Sequence, residues 1–598
     1  MSTPDLKSTV SDTWGVDIGG GFVRIVDSKR VIQLPNTAAL ARGLPSALIA
    51  DASAAVPDRT SLSFSRPIER GYVVDWLLQS RILRRGFARM RGLPAAQAEA
   101  PAEDDEHGAG QAVAPALSEA ERAVGLVEPG PAPMCGARVP AELPEAHASQ
   151  GLLLTVPTLP LPPLQVTLCD ALIRELPGMH SVGTLPAALA GWWGAIHTPG
   201  SDVPTTEAAL HIDSGFSATH CCAIQLGNVL PATVRRVDVG GKLLTNYMKE
   251  LLSQGQLHVG DATDEVDEAK CALAYCSSDY TGDAIAFAAL RAASTPAVLR
   301  DVYAAAHPNL GLRDISPELV FAWTSAQFAL AAGAPKDCTG LAGAWASVPG
   351  AAELLAAGIH LRQSYELAHG SSTAAAAGCP GGSPGHVAPV ATWVLPDQVA
   401  TTRGYAQSSC SDPYAGRRAQ ATATLAASPS NREAAAAAAA AAVLPDANMQ
   451  MMPVGRERVA VPEVLFHPAD IGLPGQGIAA AIVATITAAP AYLHPALATN
   501  IVLSGGAACI PGIQARLTQE LTAMLPAHFQ VRVRSSPTPM LDASVGLRWA
   551  IQAGKRHSAA LGVTVADLRK SGDRAPAVLD DHAIEFQQAL WAAAVSGE

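Results

Sequence analysis

Hydrophobic and polar positions along this chain gather into strand–turn units of one recurring kind. From Thr13, TWGVDIGGGFVRIVDS has an apolar strand entering a glycine turn and an alternating strand leaving it. RPIERGYVVDW (66–76) leads into a helix predicted over 75–92. GLLLTVPTLP, from Gly151, reads as a strand, and 164–176 and 185–196 suit helices. ALHIDSGFSATHCCAIQLGNVLP (209–231) then returns to the opening pattern: strand, Asp, small turn, strand, hairpin. VRRVDVGGKLLTNYMKELLSQ and NIVLSGGAACIPGIQARLTQELTAMLP (500–526) each read as strand, glycine turn and helix. GIAAAIVATITAA (477–489) suits a helix, VRVRSSP a late strand, and 585–595 a terminal helix. The two Asp-bearing hairpins form a coarse internal echo.

The intervening segments carry little periodicity. Residues 1–12 read as a disordered leader, and 96–150 as an acidic, Ala-rich insertion or linker that includes PAEDDEHGAG. Within 281–389 only 316–334 suggests a helix. The stretch 406–455 is of low complexity and contains an alanine run at 434–442, for which an exposed helical arm and disorder both stay open.

Composition narrows the function classes. The 598 residues are 49% hydrophobic but only 5% aromatic and 16% charged, so much of the apolar content is small side chains. The net charge of −12 excludes a broadly basic surface for gripping nucleic acid, which needs clustered Lys and Arg. No signal segment and no uninterrupted apolar run of membrane-spanning length is visible. The ten Cys form no CxxC pair, which fits a reducing compartment and argues against a disulfide scaffold or structural zinc; Cys169, Cys271 and Cys509 read as buried thiols.

Three glycine turns follow apolar strands: Gly19–Gly20–Gly21, Gly240–Gly241 and Gly505–Gly506. Two strands end near Asp17 and Asp213, each beside a glycine-bearing hairpin. Glycine lets backbone N–H groups approach a phosphate, and a strand-end Asp can hold a divalent ion through water while that ion touches phosphate oxygens. Arg24 and Ser214 could add polar contacts, and a neutral His220 could orient a water. Each feature also has a structural reading: glycine serves hairpin geometry, a strand-end Asp can be merely exposed, and His220 suits a core. Their ordered recurrence favours nucleotide binding, although the GxxxxGK[ST] loop, a placed dinucleotide fingerprint, and the GxSxG and HExxH signatures are absent.

At these residues the chain resembles the actin family, whose fold is a pair of related α/β domains around an ATP cleft. DIGGGFVR (17–24) resembles the first phosphate hairpin, DSGFSATH (213–220) the second, and VDVGGKLLTNYMKELL (237–252) and LSGGAACIPG (503–512) the later cleft segments. GGKLLTNYMKELLSQGQLHV, WVLPDQVATTRGY (393–405) and ERVAVPEVLFHPADIGLPGQGIAAAIV (457–483) narrow the likeness to one nuclear branch of actin-related proteins. The resemblance covers 13–92, 151–280, 390–405 and 456–550. It implies an α/β, two-lobed actin-like body of the actin, Hsp70 and sugar-kinase superfamily, swollen by insertions. The first lobe would take 13–95 and 151–236, the second would start at 237–280 and run through a divergent 281–389 and the motif at 390–405. Residues 456–552 would complete the second lobe and return to the first, and 553–598 would extend the C terminus.

The resemblance also implies a ligand set. Asp17, Gly19, Gly20, Gly21, Arg24, Asp213, Ser214, Gly215, His220, Gly240, Gly241, Lys270, Gly505 and Gly506 would surround a structural ATP or ADP, with Asp17 and Asp213 holding Mg2+ through water. The water-positioning Gln of actin-like ATPases is placed at Asp170, whose negative charge is poorly matched to a triphosphate. An acidic ribose-gripping position is Cys271. The expectation is therefore ATP binding without efficient hydrolysis, a catalytically active ATPase of the superfamily being the alternative. The family's filament-forming loop has no counterpart in 37–65, so no filament is expected. The nuclear branch implies a noncatalytic subunit of a Swr-type chromatin remodeller that exchanges a core histone for its variant. Expected partners are that complex's protein subunits, a small zinc-finger subunit among them, with indirect or local nucleosome contacts and no membrane. The expected compartment is the nucleus, with the cytoplasm second.

Overall fold

The computed structural model describes residues 12–27, 30–41, 47–55, 62–90, 150–159, 161–175, 179–254, 259, 262–293, 360–361, 363–369, 391–396, 404–406, 450–556, 563–564 and 575–596. The leader, most of the insertions expected at 96–150, 281–389 and 406–455, and the helix expected over 316–334 lie outside them. The chain divides into two compact units: Met1–Gly241 with Ile478–Cys509 and Leu521–Glu598, and Lys242–Gly477 with Ile510–Glu520.

In the first unit, β1 (Asp12–Ile18), β2 (Phe22–Val26) and β3 (Val31–Pro35) form an antiparallel meander. Strands β4 (Ala38–Ala41), β5 (Leu48–Ile49) and β6 (Leu62–Ser65) make a small sheet, and β7 (Ile68–Glu69) pairs with β8 (Tyr72–Val73). Helix α1 (Trp76–Met90) follows. Its start is capped by Asp75, whose Oδ1 accepts the Leu78 N–H at 2.9 Å, satisfying one of the first-turn donors. Its buried face carries Ile82, Leu83 and Phe87, and Phe87 stacks on Trp14 with ring centroids 5.2 Å apart.

Next come β9 (Gln150–Val156), α2 (Pro162–Glu175), β10 (Met179–Pro186) and α3 (Ala187–His197). Then β11 (Ala208–Ser214), β12 (Thr219–Gln225), β13 (Asn228–Val229) and β14 (Arg235–Val237) form a second meander. The chain returns with α4 (Ile478–Ala488), α5 (His494–Thr499), β15 (Ile501–Ser504), β16 (Val533–Arg534), α6 (Asp542–Arg556), β17 (Val563–Thr564) and α7 (Ala575–Ser596).

The coarse sequence echo is a repeated topology. The first sheet has the order β17-β10-β9-β1-β2-β3, with β9 parallel to β1 and to β10. The second runs β13-β12-β11-β15-β16, with β14 also on β12, and β15 parallel to β11 and to β16. Each sheet is thus an antiparallel hairpin extended by two parallel strands. Strand β11 is buried along nearly its whole length, as a central strand covered on both faces must be.

Helices α3 and α6 pack against each other, α6 also on β1 and α3 also on β11. Their close approach depends on small residues. A Cβ on Gly194 would lie 1.7 Å from the Asp542 carbonyl oxygen, and one on Gly546 1.8 Å from that of Ala190. Around this pair Trp192 and Trp193 are fully buried. Trp193 stacks on Trp549 at 4.5 Å, and Trp591 of α7 stacks on Trp192 at 6.3 Å. Helix α7 begins ten residues before the 585–595 expected; within it Ala583, Phe586, Gln587 and Leu590 are buried and Trp591 and Ala594 half-buried, which makes one helical stripe.

The second unit contains helices Gly241–Ser253, Thr263–Leu273, Tyr280–Ala293 and Glu457–Glu463, and a sheet of Ala391–Val394, Tyr405–Ala406 and Met451–Val454. Arg458 is buried there between Tyr275 and Tyr365, its guanidinium carbon 5.3 and 5.1 Å from their ring centres. Among the described residues no helix is long and apolar enough to cross a membrane.

Candidate nucleotide site

The β1–β2 register sets Arg24 directly opposite Asp17. Arg24 Nη1 donates to Asp17 Oδ2 at 3.1 Å, and its Nε donates to Gln33 Oε1 of β3 at 2.9 Å. Thr155 of β9 donates to Asp17 Oδ1 at 2.8 Å. Both carboxylate oxygens of Asp17 are therefore engaged by the protein, and the side chain is buried. The turn closes where the Gly19 N–H donates to the Phe22 carbonyl at 3.0 Å.

The second hairpin is built alike, with His220 opposite Asp213. Its turn closes through the Gly215 N–H and the Ala218 carbonyl at 3.1 Å. Thr219 donates its hydroxyl proton to the Val239 carbonyl at 2.9 Å, so Ser214 Oγ is the donor in its 2.8 Å bond to Thr219 Oγ1. Ser214 is fully buried and spends its hydroxyl inside the hairpin. The Gly241 N–H, at the head of the next helix, donates to the Gly215 carbonyl at 3.0 Å.

The expected glycines separate into two groups. A Cβ on Gly20 would lie 2.4 Å from Ser217 Oγ, and one on Gly21 3.3 Å from the Phe216 ring. A Cβ on Gly240 would meet the Phe216 carbonyl oxygen at 2.7 Å. These glycines admit close packing of hairpin on hairpin. Around Gly215 nothing lies nearer than 3.6 Å, and around Gly506 nothing within 4 Å. Gly505, with φ +93°, turns the chain after β15 in a conformation that favours glycine and packs on the Ser214 carbonyl.

Charge at the two hairpins is unequal. Burial, then the neighbouring Asp17 carboxylate, pushes the Asp213 carboxyl up to about 7; Arg24 pulls the other way and Asp542 adds to the rise. Burial and Arg236 lower His220 to about 4, so its ring is neutral at physiological pH. Beneath the hairpins lies a buried relay that joins distant segments. Ser504 donates to Asp542 Oδ2 at 2.6 Å, and Ser536 donates to Oδ1 at 2.5 Å. With the Ser504 proton so placed, His211 Nε2 must donate to Ser504 Oγ at 3.1 Å, leaving His211 Nδ1 as a buried acceptor without a partner. Burial lifts Asp542 to about 6 against these hydrogen bonds, and lowers His211 to about 3.

Asp17, the three glycines of the first turn, Arg24, Asp213, Ser214, Gly215, His220, Gly240, Gly241, Gly505 and Gly506 all lie in the first unit. Lys270 lies in the second, where its Nζ donates to Asp267 Oδ1 at 2.6 Å and to Thr245 Oγ1 at 2.7 Å. Asp170 falls on α2, with its side chain outside the described residues. Cys169 is buried, but the expectation of buried thiols fails for Cys271 and Cys509, which are exposed. Cys271 points off the outer face of its helix, and Cys509 ends the turn that follows Gly506. Thr155 and the His211–Ser504–Asp542 relay were not singled out by sequence, because segments far apart in the chain bring them together; Phe216 lies inside the second hairpin motif but was not singled out either.

The arrangement fits a phosphate-bearing ligand with a divalent ion. A Cβ on Gly506 would meet nothing within 4 Å, and the half-buried Asp213 carries a cost of ionisation that a cation would relieve. Among the described residues no cluster of three His, Cys, Asp or Glu could hold a metal by direct ligation.

The actin family model matches residues 24–270 and 395–546. Actin-related protein 6 of Arabidopsis thaliana is 27% identical over 397 residues, 66% of this chain and 69% of the relative. Actin-like protein arp6 of Emericella nidulans is 24% identical over 513 residues, 86% and 80% of the respective chains. Actin-related protein 6 of Oryza sativa subsp. indica is 24% identical over 539 residues, 88% and 89%.

Proposed function

The chain belongs to the actin family, and from that premise we propose that it is a noncatalytic structural subunit of a nuclear, Swr-type chromatin-remodelling complex that exchanges a core nucleosomal histone for its variant. Similarity to relatives named actin-related protein 6 in plants and fungi supports the branch. The strings at 240–259, 393–405 and 457–483 support it from the sequence side. Its partners are the complex's other protein subunits, a small zinc-finger subunit among them, with local nucleosome contacts. It works in the nucleus, with the cytoplasm as a second compartment, and forms no filament.

Actin-family proteins bind ATP or ADP with Mg2+. Here the nucleotide is a structural ligand, adding stability because only the folded state binds it. The Mg2+ would supply positive charge between the phosphates and the carboxylates of Asp17 and Asp213. One observation carries the noncatalytic reading: the Asp17 carboxylate is already neutralised by Arg24 at 3.1 Å and held by Thr155. His220, lowered to about 4, is too weak a base to take a proton from water at neutral pH. A second reading, an active ATPase, has a specific observation in its favour. The Asp213 carboxyl, near 7, is matched to general-base work.

Tagged purification from native nuclei separates the two readings. The scaffold should recover stoichiometric remodeller subunits, with bound nucleotide and negligible turnover. Sustained ATP turnover above that of an Asp213→Asn control, without remodeller subunits, would establish the ATPase instead.

A further inference from the structure

Asn36, which follows β3, is fully buried and holds the first glycine turn at two points. Its backbone N–H donates to the Gly21 carbonyl at 2.9 Å, and its Nδ2 donates to the Gly19 carbonyl at 2.9 Å. Nδ2 also donates to Gln79 Oε1 of α1 at 3.2 Å, and Gln79 is buried as well. A carbonyl can only accept, so the Asn36 amide has one orientation here, and Gln79 must turn its oxygen to meet it. The turn already closes through the Gly19 N–H and the Phe22 carbonyl, so the hairpin alone does not require this arrangement. It also has a cost: Asn36 Oδ1 and Gln79 Nε2 are buried without a partner.

We infer that Asn36, buttressed by Gln79, is a positioning residue that fixes the Gly19–Gly20–Gly21 turn in the form that receives an anionic phosphate. The inference rests on the nucleotide reading given above and deepens it. A trans peptide carries its N–H opposite its C=O. With the Gly19 carbonyl drawn to Asn36, the Gly20 N–H points away from that side chain; with the Gly21 carbonyl drawn to the Asn36 N–H, the Phe22 N–H points away from it too. Gly20 is half-buried, and its N–H makes no hydrogen bond among the described residues. Ser217 takes only the space on its Cβ side. A backbone donor left over in this way suits an anion, and Arg24 already balances the Asp17 carboxylate of the same hairpin. Three successive glycines would otherwise sample many conformations. Holding them in one before the ligand arrives removes part of the ordering cost of binding.

The test is titration calorimetry of the full-length protein with Mg·ADP and with a non-hydrolysable Mg·ATP analogue, beside hydrogen exchange of the Gly19 amide in the ligand-free protein. Asn36→Ala removes the Nδ2 bonds and keeps the backbone bond to Gly21, so β3 keeps its register. It should weaken binding of either nucleotide about tenfold, the worth of one net hydrogen bond, and speed exchange at Gly19. Gln79→Met fills much the same space without the oxygen; it should weaken binding about threefold, and it carries the test if Asn36→Ala does not fold. Trp591→Ala, which loses packing on Trp192 and Gly227, is the control for lost stability and should leave the affinity unchanged. Affinity unchanged in both Asn36→Ala and Gln79→Met would overturn the inference and leave the nucleotide reading standing. So would an equal loss in Trp591→Ala, which would trace the effect to stability alone, or Gly19 exchange in Asn36→Ala as slow as in the wild type. Binding of neither nucleotide by the wild type would refute the nucleotide reading and this inference with it.

Discussion

Asp17 and Asp213 occupy the same place in two sheets of the same strand order, but Asp17 faces Arg24 across its hairpin and Asp213 faces His220. The first pair is an ion pair at 3.1 Å; the second sets a carboxyl pushed up to about 7 against a ring lowered to about 4. One hairpin is electrostatically complete and the other is not.

The incomplete one should show in the pH dependence of stability. Asp213 has a native pKa raised from 3.8 to about 7, so between those values the native state holds a proton that the unfolded state has released. Stability attributable to this group is full below pH 4 and is lost as pH rises to 7. Asp213→Asn should therefore be more stable than the wild type at pH 8, by about 2–4 kcal/mol, with the difference vanishing toward pH 4. Urea denaturation at the two pH values measures it; an equal difference at both would refute the assignment.

Removing Arg24 should do the opposite. Arg24→Met leaves Asp17 buried and unpaired beside Asp213, at a cost of about 3–5 kcal/mol. Asp17→Asn in the same background should recover a large part of that loss, because the uncompensated charge is gone. A double-mutant cycle by chemical denaturation reads the coupling, and strict additivity would show that the pair contributes nothing.

Asp17→Asn combined with Asp213→Asn should abolish magnesium-dependent nucleotide retention during purification. Unchanged nucleotide content in the purified double variant would sink the metal and phosphate site.

The α3–α6 crossing reverses an ordinary helix rule. In an exposed helix, Gly→Ala gains up to about 1 kcal/mol. At Gly194 the new methyl would sit 1.7 Å from the Asp542 carbonyl oxygen. Gly194→Ala should cost more than about 3 kcal/mol or prevent folding, as overpacking against backbone does. Thermal melts followed by circular dichroism decide it, and a melting temperature within 2 °C of the wild type, about the scatter of small effects, would contradict the packing.

Trp591→Ala should loosen α7. The residue is half-buried, and its loss removes a stack on Trp192 and contact with the turn at Gly227, for about 2 kcal/mol. Hydrogen exchange across 575–596 should accelerate, while β11 should keep its protection because its burial does not depend on that ring.

Much of the fold was legible in local pattern. A strand, an Asp, a glycine turn and a returning strand are a contiguous unit, so both hairpins were placed from DIGGGFVR and DSGFSATH. Helices near 76–90, 187–197 and 478–488 likewise follow short-range periodicity. Helix α7 was only half visible, and its stripe is made plain by the packing of Trp591 against Trp192. What a glycine is for could not be read from neighbours in the chain. Gly20 and Gly506 follow apolar strands alike, but one abuts Ser217 and the other faces open space. The charge state of the site was equally hidden. Asp213 and His211 owe their shifts to burial, and Asp542 reaches His211 only through Ser504, nearly three hundred positions along the chain. Hydrophobic pattern is written residue by residue; desolvation and the pairing of side chains arise only when distant strands are brought into register.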